Sequence, residues 1–206
     1  MRIDISLQSR RHSLTRVLTL TLALSSVPAI TAASETIERD AKYRFSVKRP
    51  ATWFVQDPPF PTTRVMLGLE GNNYVGNCNI VVTEVPLSAT MTQAAMDTDV
   101  NKKEHTPEEF LQVLRAAFPD AKVVNVETVL RGGYSGALAN YTYSYVSRAA
   151  GKRMFGRAEF FSHSRPGLNF SFSCMTVAAS TAEAALAFQK EAASFKMLSS
   201  SLQVRK

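Results

Sequence analysis

Cysteine is scarce in this chain: two residues, Cys78 and Cys174, in a length of 206. So low a number excludes a small disulfide-dense scaffold, and without a Cys-x-x-Cys spacing the chain also lacks a thioredoxin-like redox motif. Histidine is nearly as rare, with three residues. None stands at metal-ligand spacing from a cysteine or a carboxylate, so neither a zinc site nor a catalytic triad is indicated. Internal repeats, low-complexity tracts and a second composition regime are all lacking, which argues for one folded domain. Only one long hydrophobic run is present, at the N-terminus. Acidic residues are outnumbered, 17 against 24 lysines and arginines, for a formal charge of +7.

The N-terminal run reads as an address. Arg2, Arg10, Arg11 and Arg16 precede an apolar stretch from Val17 to Ile30, and Thr31-Ala32-Ala33 supplies small residues for cleavage. Ser25, Ser26 and Pro28 interrupt it short of the ~20 apolar residues of a spanning helix. Residues 1–33 are therefore predicted to be a signal peptide and 34–206 a single exported domain, periplasmic or secreted. Four arginines and Asp4 leave with the signal, so the charge falls by three, from +7 to +4. The remaining bases are interspersed with acids. No nucleic-acid footprint is indicated, and membrane contact is peripheral at most.

Residues 34–41 are polar and read as loose chain. Tyr43, Phe45 and Val47 alternate with polar residues as a half-buried strand, and Trp53 opens a Pro-rich loop. Arg64 to Leu69 and Cys78 to Val85 read as further strands. Thr106-Pro107-Glu108-Glu109 opens a helix with a capping threonine and proline at the first helical position. Phe110, Val113, Leu114, Ala117 and Phe118 are assigned to its inner face, and Pro119 ends it. A less regular segment, 88–104, holds a turn or two of helix around Met91 to Met96. Four strands then follow as a meander: Val123 to Leu130, Ala137 to Ser147, Arg153 to His163 and Leu168 to Val177. Their connections are too short for parallel crossovers, so the sheet is mainly antiparallel. Ser180-Thr181-Ala182-Glu183 is a second capping box, opening a helix with Ala185, Phe188, Ala192 and Phe195 inward. Residues 201–204 form a short final strand or a packed tail.

Alternation puts Cys78 on one face with Ile80 and Val82, and Cys174 on one face with Phe170 and Phe172. Outside the cytoplasm such a pair is favoured to form a disulfide, whose loop of about 97 residues contributes up to about 4.7 kcal/mol in the chain-entropy view. Two buried free thiols are the alternative. Neither cysteine neighbours a helix start, a histidine or a lysine, so a reactive thiolate is disfavoured.

Three constellations resemble chemistry. Asp97, Asp99, Asn101 and Glu108 fit a calcium-loop register, but its glycine position is Lys102. Gly133-Tyr134-Ser135-Gly136 suggests a nucleophile elbow, yet both flanks read as strands. His105 and His163 read as surface or turn residues. No catalytic set converges, so no enzyme activity, cofactor or metal is expected. Tyr141, Tyr143 and Tyr145 on one strand face, with Arg148, Lys152, Arg153 and Arg157 around the next hairpin, are the candidate partner surface. Core tyrosines beside a solvated hairpin tip are the alternative.

Tyr43-Arg-Phe-Ser-Val-Lys-Arg-Pro-Ala-Thr-Trp53 resembles the F-x-V-x-x-P-x-x-W start of PsbP/Mog1-like domains. Gly133-Tyr-Ser-Gly-Ala-Leu-Ala-Asn-Tyr141 is similar to their hairpin into a central strand, and Phe188 through Phe195 to Leu202 to their closing helix. The resemblance spans most of 43–204 and implies an α+β fold, an antiparallel sheet between helices in an α/β/α sandwich. That family includes photosystem assembly proteins, a partner of a nuclear-transport GTPase and bacterial envelope proteins. It thereby implies a non-enzymatic protein-binding or assembly-assisting module with an envelope protein as partner. A carrier of a small apolar ligand is the rival, with Phe110, Phe118 and the phenylalanines of 160–172 lining a cavity between sheet and helix.

Overall fold

The computed structural model describes residues 35–58, 60–148 and 151–205. The predicted signal peptide lies outside the described residues. Ten strands and three α-helices follow in order: β1 (Glu35–Asp40), β2 (Phe45–Pro50), β3 (Phe54–Gln56), β4 (Thr63–Gly71), β5 (Tyr74–Glu84), α1 (Gln93–Lys102), α2 (Pro107–Ala117), β6 (Lys122–Arg131), β7 (Tyr134–Val146), β8 (Arg153–Arg165), β9 (Leu168–Ala178), α3 (Thr181–Ser200) and β10 (Gln203–Val204). A single 3₁₀ turn, Pro86–Ser88, separates β5 from α1. The fold is α+β.

Two sheets form. The larger has seven strands in the order β3-β4-β5-β9-β8-β7-β6, and the smaller is β1-β2-β10. Every strand pairing is antiparallel. The predicted meander is present as β6 to β9, with short turns at each end. β5 joins it by pairing with β9, and Cys78 stands directly opposite Cys174 in that register. The two are bonded. Both are fully buried beside Ile80, Val82, Phe170 and Phe172, the face that alternation assigns them.

The small sheet and α3 cover one face of the large sheet, and their shared core holds Phe45, Val47, Trp53, Phe161, Phe170, Phe172, Phe195 and Leu198. Ser180 opens α3 with a reciprocal cap: its hydroxyl accepts from the Glu183 amide and donates to the Glu183 carboxylate. Phe188 and Phe195 point inward as predicted, whereas Ala192 is exposed and Ala184, Ala187, Leu198 and Ser199 complete the buried stripe. An inward charge is also satisfied here. Arg131 meets Glu159 with two hydrogen bonds, 2.7 and 3.2 Å, and donates to Ser199 at 2.8 Å.

Three local expectations change. Residues 35–40 are not loose; they pair along β2 as an outer strand. The sequence is polar because the strand is held by the ladder and by ion pairs, Glu35 with Lys48 and Glu38 with Arg49 at 2.7 Å each. Within the Pro-rich segment, Phe54–Gln56 adds a short edge strand to β4, and Trp53 is buried at 4% exposure. On α2, Val113 is 73% exposed and Ala117 is exposed, while Phe110, Leu111, Leu114 and Phe118 are half-buried. The helix is rotated so that Leu111 joins the inner face and Val113 moves to its exposed edge. Thr106 caps it as predicted, accepting from the Glu109 amide.

Candidate functional site

The helix side of the large sheet has two recesses, and the side chains that build them follow from strand alternation. On β8 the positions 156, 158, 160 and 162 share a face, and the register brings them opposite Tyr143, Tyr141, Ala139 and Ala137 of β7. The same face continues through Asn169, Ser171, Ser173 and Met175 of β9, and through Asn77 of β5. Helices α1 and α2 cover only the part of this face near β6, β7 and β8. The rest stays open.

The first recess is a groove of about 450 Å³. Its floor is Met66, Val75, Asn77 and Met175. Phe54 forms one wall, and Phe118, Tyr143 and Tyr145 form the other. Two glycines shape it. Gly156 leaves room for the Tyr143 ring to lie across β8, where any β-carbon would collide with that ring. Tyr143 thereby reaches β9, and its hydroxyl contacts Met175 Sδ at 2.9 Å. Gly68 lets the Phe54 ring lie over β4 in the same way. Phe118 packs on Tyr143 with ring centroids 4.0 Å apart, and Tyr145 stacks on Tyr143 at 6.3 Å. Phe54, Val75 and Tyr145 are exposed at 42%, 51% and 39%, so the groove presents apolar surface to solvent.

The seven predicted surface residues are divided by this geometry. Tyr141 and Tyr143 are buried, at 2% and 4% exposure, because Phe118 and α2 cover the tyrosine row. Burial pushes both phenols up from their ordinary pKa. Only Tyr145 offers its ring to solvent. Arg148 and Lys152 are exposed at the β7–β8 hairpin. Arg153 donates to the Ser144 hydroxyl at 3.0 Å and lies 3.8 Å from Asp120, whose carboxyl is held low by hydrogen bonds from Ser144 and by Arg153. Arg157 is on the opposite face, its guanidinium 5.6 Å from the Phe188 ring of α3. It cannot act with the tyrosines.

The second recess is a cavity of about 290 Å³ between α1, α2 and the sheet. Val100, Phe110, Val113, Leu114 and Phe160 give it an apolar wall, and Ser162, Ser164 and Asn169 a polar floor. Phe110 meets Phe160 at 6.0 Å, edge to face. Ser162 and Ser164 each donate to Asn169 Oδ1 at 3.2 Å. Lys103 and Glu109 pair at 3.2 Å at the rim. His105 also lines the cavity; its Nε2 is buried and has no hydrogen-bond partner among the described residues. Phe118, expected here, lines the groove instead.

His163 corrects the reading of a surface histidine. It is 2% exposed, with its ring 5.1 Å from Tyr134, 5.5 Å from Phe170, 5.6 Å from Phe161 and 6.2 Å from Phe172. Neither ring nitrogen has a hydrogen-bond partner among the described residues. Burial drives its pKa down to about 4 against weak opposition from the Ser164 backbone and Asp97, so the imidazole is neutral. The signal was present in sequence: Phe161-x-His163 places the histidine in phase with a buried phenylalanine. Alternation also sets Ser135, in phase with Ala137 and Ser162, on the face opposite this ring. Asp97, Asp99 and Asn101 lie on α1, a helix and not a calcium loop, and Glu108 is in the first turn of α2. No group of three or more His, Cys, Asp or Glu residues able to hold a metal occurs among the described residues.

The architecture is that of an antiparallel sheet flanked by helices, as the residue pattern predicts. Among solved structures it is similar to cyanobacterial PsbP (CyanoP) of Synechocystis, at 17% identity and a TM-score of 0.49, over 88% of this chain and 99% of that one. It is similar also to LpqN, involved in cell envelope biogenesis of Mycobacterium tuberculosis, at 11% identity and a TM-score of 0.46, over 84% and 91%. The Saccharomyces cerevisiae Ran-binding protein Mog1p gives 11% identity and a TM-score of 0.43, over 84% and 96%. No family model matches the chain, and no curated protein matches it in sequence.

Proposed function

We propose that the chain is an exported, non-catalytic module that binds another protein of the cell envelope through the open part of its large sheet. The observation that carries this reading is the groove of Phe54, Val75, Phe118, Tyr143 and Tyr145, in which the Phe54 and Tyr145 rings stand partly in water beside two methionines. Aromatic residues and methionine are what the cores of protein interfaces are enriched in. Export is supported by the predicted signal and by the Cys78–Cys174 bond, which belongs to an oxidising compartment.

A photo-crosslinking phenylalanine at Val75 in cells of the source is expected to give an adduct of one discrete mass. The same group at Leu186, exposed on α3, should give none, and Tyr145→Asp should abolish the Val75 adduct. Equal labelling from both positions would sink the reading. Export is checked separately by intact mass: the native protein should begin at Ser34 or Ala33 and gain two hydrogens on reduction.

A second reading, a carrier of a small apolar ligand, is favoured by one observation of its own. The 290 Å³ cavity lies between α2 and the sheet, where such a carrier would hold its cargo, and is close to the lower limit for small-molecule sites.

A further inference from the structure

Both serines on the cavity floor have already used their protons. Each hydroxyl has a single hydrogen, and those of Ser162 and Ser164 both go to Asn169 Oδ1. Asn169 in turn spends a donor on Ser171 Oγ at 3.2 Å. The two hydroxyls are thus satisfied as donors, with Ser171 Oγ a further 3.4 Å neighbour of Ser162, and what they offer a visitor is their remaining lone pairs; the second amide hydrogen of Asn169 is the floor's one donor left over. A head group that binds the two hydroxyl oxygens must therefore bring a donor.

Charge narrows the class further. Among the described residues lining the cavity, Lys103 is the one lysine or arginine and Glu109 the one aspartate or glutamate, and the two pair with each other at the rim. An ionic head group would lose its water without a free counter-charge to replace it, a cost that binding rarely recovers. His163 also borders the cavity, but its ring packs on the other face of the sheet against Phe161 and Phe170, which leaves His105 Nε2, buried and unpartnered among the described residues. An orphan of this kind inside an apolar recess is costly unless something occupies the site. The volume, about ten times the share of one liquid water, suits an apolar body of a few carbons' thickness, with Phe110, Phe160, Val113 and Leu114 against it.

From this donor and acceptor balance we infer that the cavity binds an uncharged amphiphile whose head group is a hydroxyl, donated to Ser162 or Ser164, with His105 Nε2 as its second partner and the apolar body along α2. The inference rests on the carrier reading and adds to it the chemistry of the cargo.

The test is a titration of the full chain with three probes of one chain length: 1-decanol, its methyl ether and decanoate, followed residue by residue by NMR. Decanol is expected to saturate, perturbing Ser162, Ser164, Asn169 and His105, and to bind about 3- to 10-fold tighter than the ether, as one hydrogen bond is worth. Ser162→Ala combined with Ser164→Ala should weaken decanol by a similar factor and leave the ether unchanged. Ser162→Leu, which fills the floor, should abolish both; if that variant does not fold, the double-alanine comparison decides. Equal affinity of decanol and ether overturns the hydroxyl assignment. Tighter binding of decanoate overturns the uncharged class while the carrier reading stands. No saturable binding, or perturbations at Val75 and Tyr145 instead, overturns both.

Discussion

On β9, the odd and even positions belong to different regimes. Phe170, Phe172, Cys174 and Thr176 face α3 and are at most 1% exposed, whereas Asn169, Ser171, Ser173 and Met175 face the helices α1 and α2 and are only half-buried. The covering elements differ to match. Helix α3 buries six residues, Phe195 and Leu198 among them at 0% exposure, while α2 buries none. One face carries the disulfide, the paired Arg131 and Glu159 and every fully buried phenylalanine among the described residues; the other carries a groove and a cavity lined by Phe54, Phe110, Phe118 and Phe160. The larger buried cluster lies on the α3 side, which leaves the other side free to hold small and polar side chains that a core would not tolerate.

The contrast can be broken in order of size. Phe195→Ala removes a 0% exposed ring packed on Trp53 and Phe188, at centroid distances of 5.8 and 5.3 Å. It should cost about 3–5 kcal/mol by urea denaturation, enough to unfold a marginal domain. Replacing both cysteines, Cys78→Ala with Cys174→Ala, reopens a loop closed over a separation of 96 residues. The expected loss is about 2–5 kcal/mol, read from the same denaturation curves with and without reductant. A result near zero would mean that β5 and β9 hold together without the bond.

Acid gives the next effect. The folded-state pKa of His163 is near 4, below the ordinary 6.5, so its contribution to stability is complete above pH 6.5 and is lost as pH falls from 6.5 through 4. Below that window the loss reaches roughly 3 kcal/mol. In His163→Leu the difference from the parent should shrink or reverse with falling pH, and a parallel pair of stability curves would rule this out. The smallest effect belongs to the thin side. Val113→Asn, at a 73% exposed position on α2, should change stability by less than about 0.5 kcal/mol. A large loss there would mean that α2 is held more firmly than its half-buried side chains imply.

Much of the fold was legible because strong period-two patterns bounded by Gly-rich turns leave little freedom, as in β6 to β9, and because Thr106 and Ser180 announce their helices chemically. What was missed depends on partners. Strand β1 looks like loose chain because its ion pairs with Lys48 and Arg49 lie across a ladder that no local pattern announces. Val113 and Leu111 are equally apolar and flank the line of Phe110 and Leu114 on opposite sides of the helix, so periodicity alone could not fix which way α2 is rotated. The tyrosine row was recognised as one face, but whether it is covered depends on where Phe118 lands, 23 residues before Tyr141 in sequence. The arginines were grouped by proximity in sequence, and strand alternation separates Arg157 from the rest.

The bond between Cys78 and Cys174 has a further consequence through its place in the strand order. The sheet consists of an N-terminal block, β3-β4-β5, and a C-terminal block, β9-β8-β7-β6, which meet only where β5 lies beside β9. Both helices of the thin side belong to the connection between the blocks, residues 85–121. A protease that clips that connection would cut the polypeptide but not the molecule: the fragments would stay covalently joined across the seam. Such a nicked form would run as one species until reduced and as two afterwards, with the cavity's helical wall and the groove's Phe118 both carried by the severed connection.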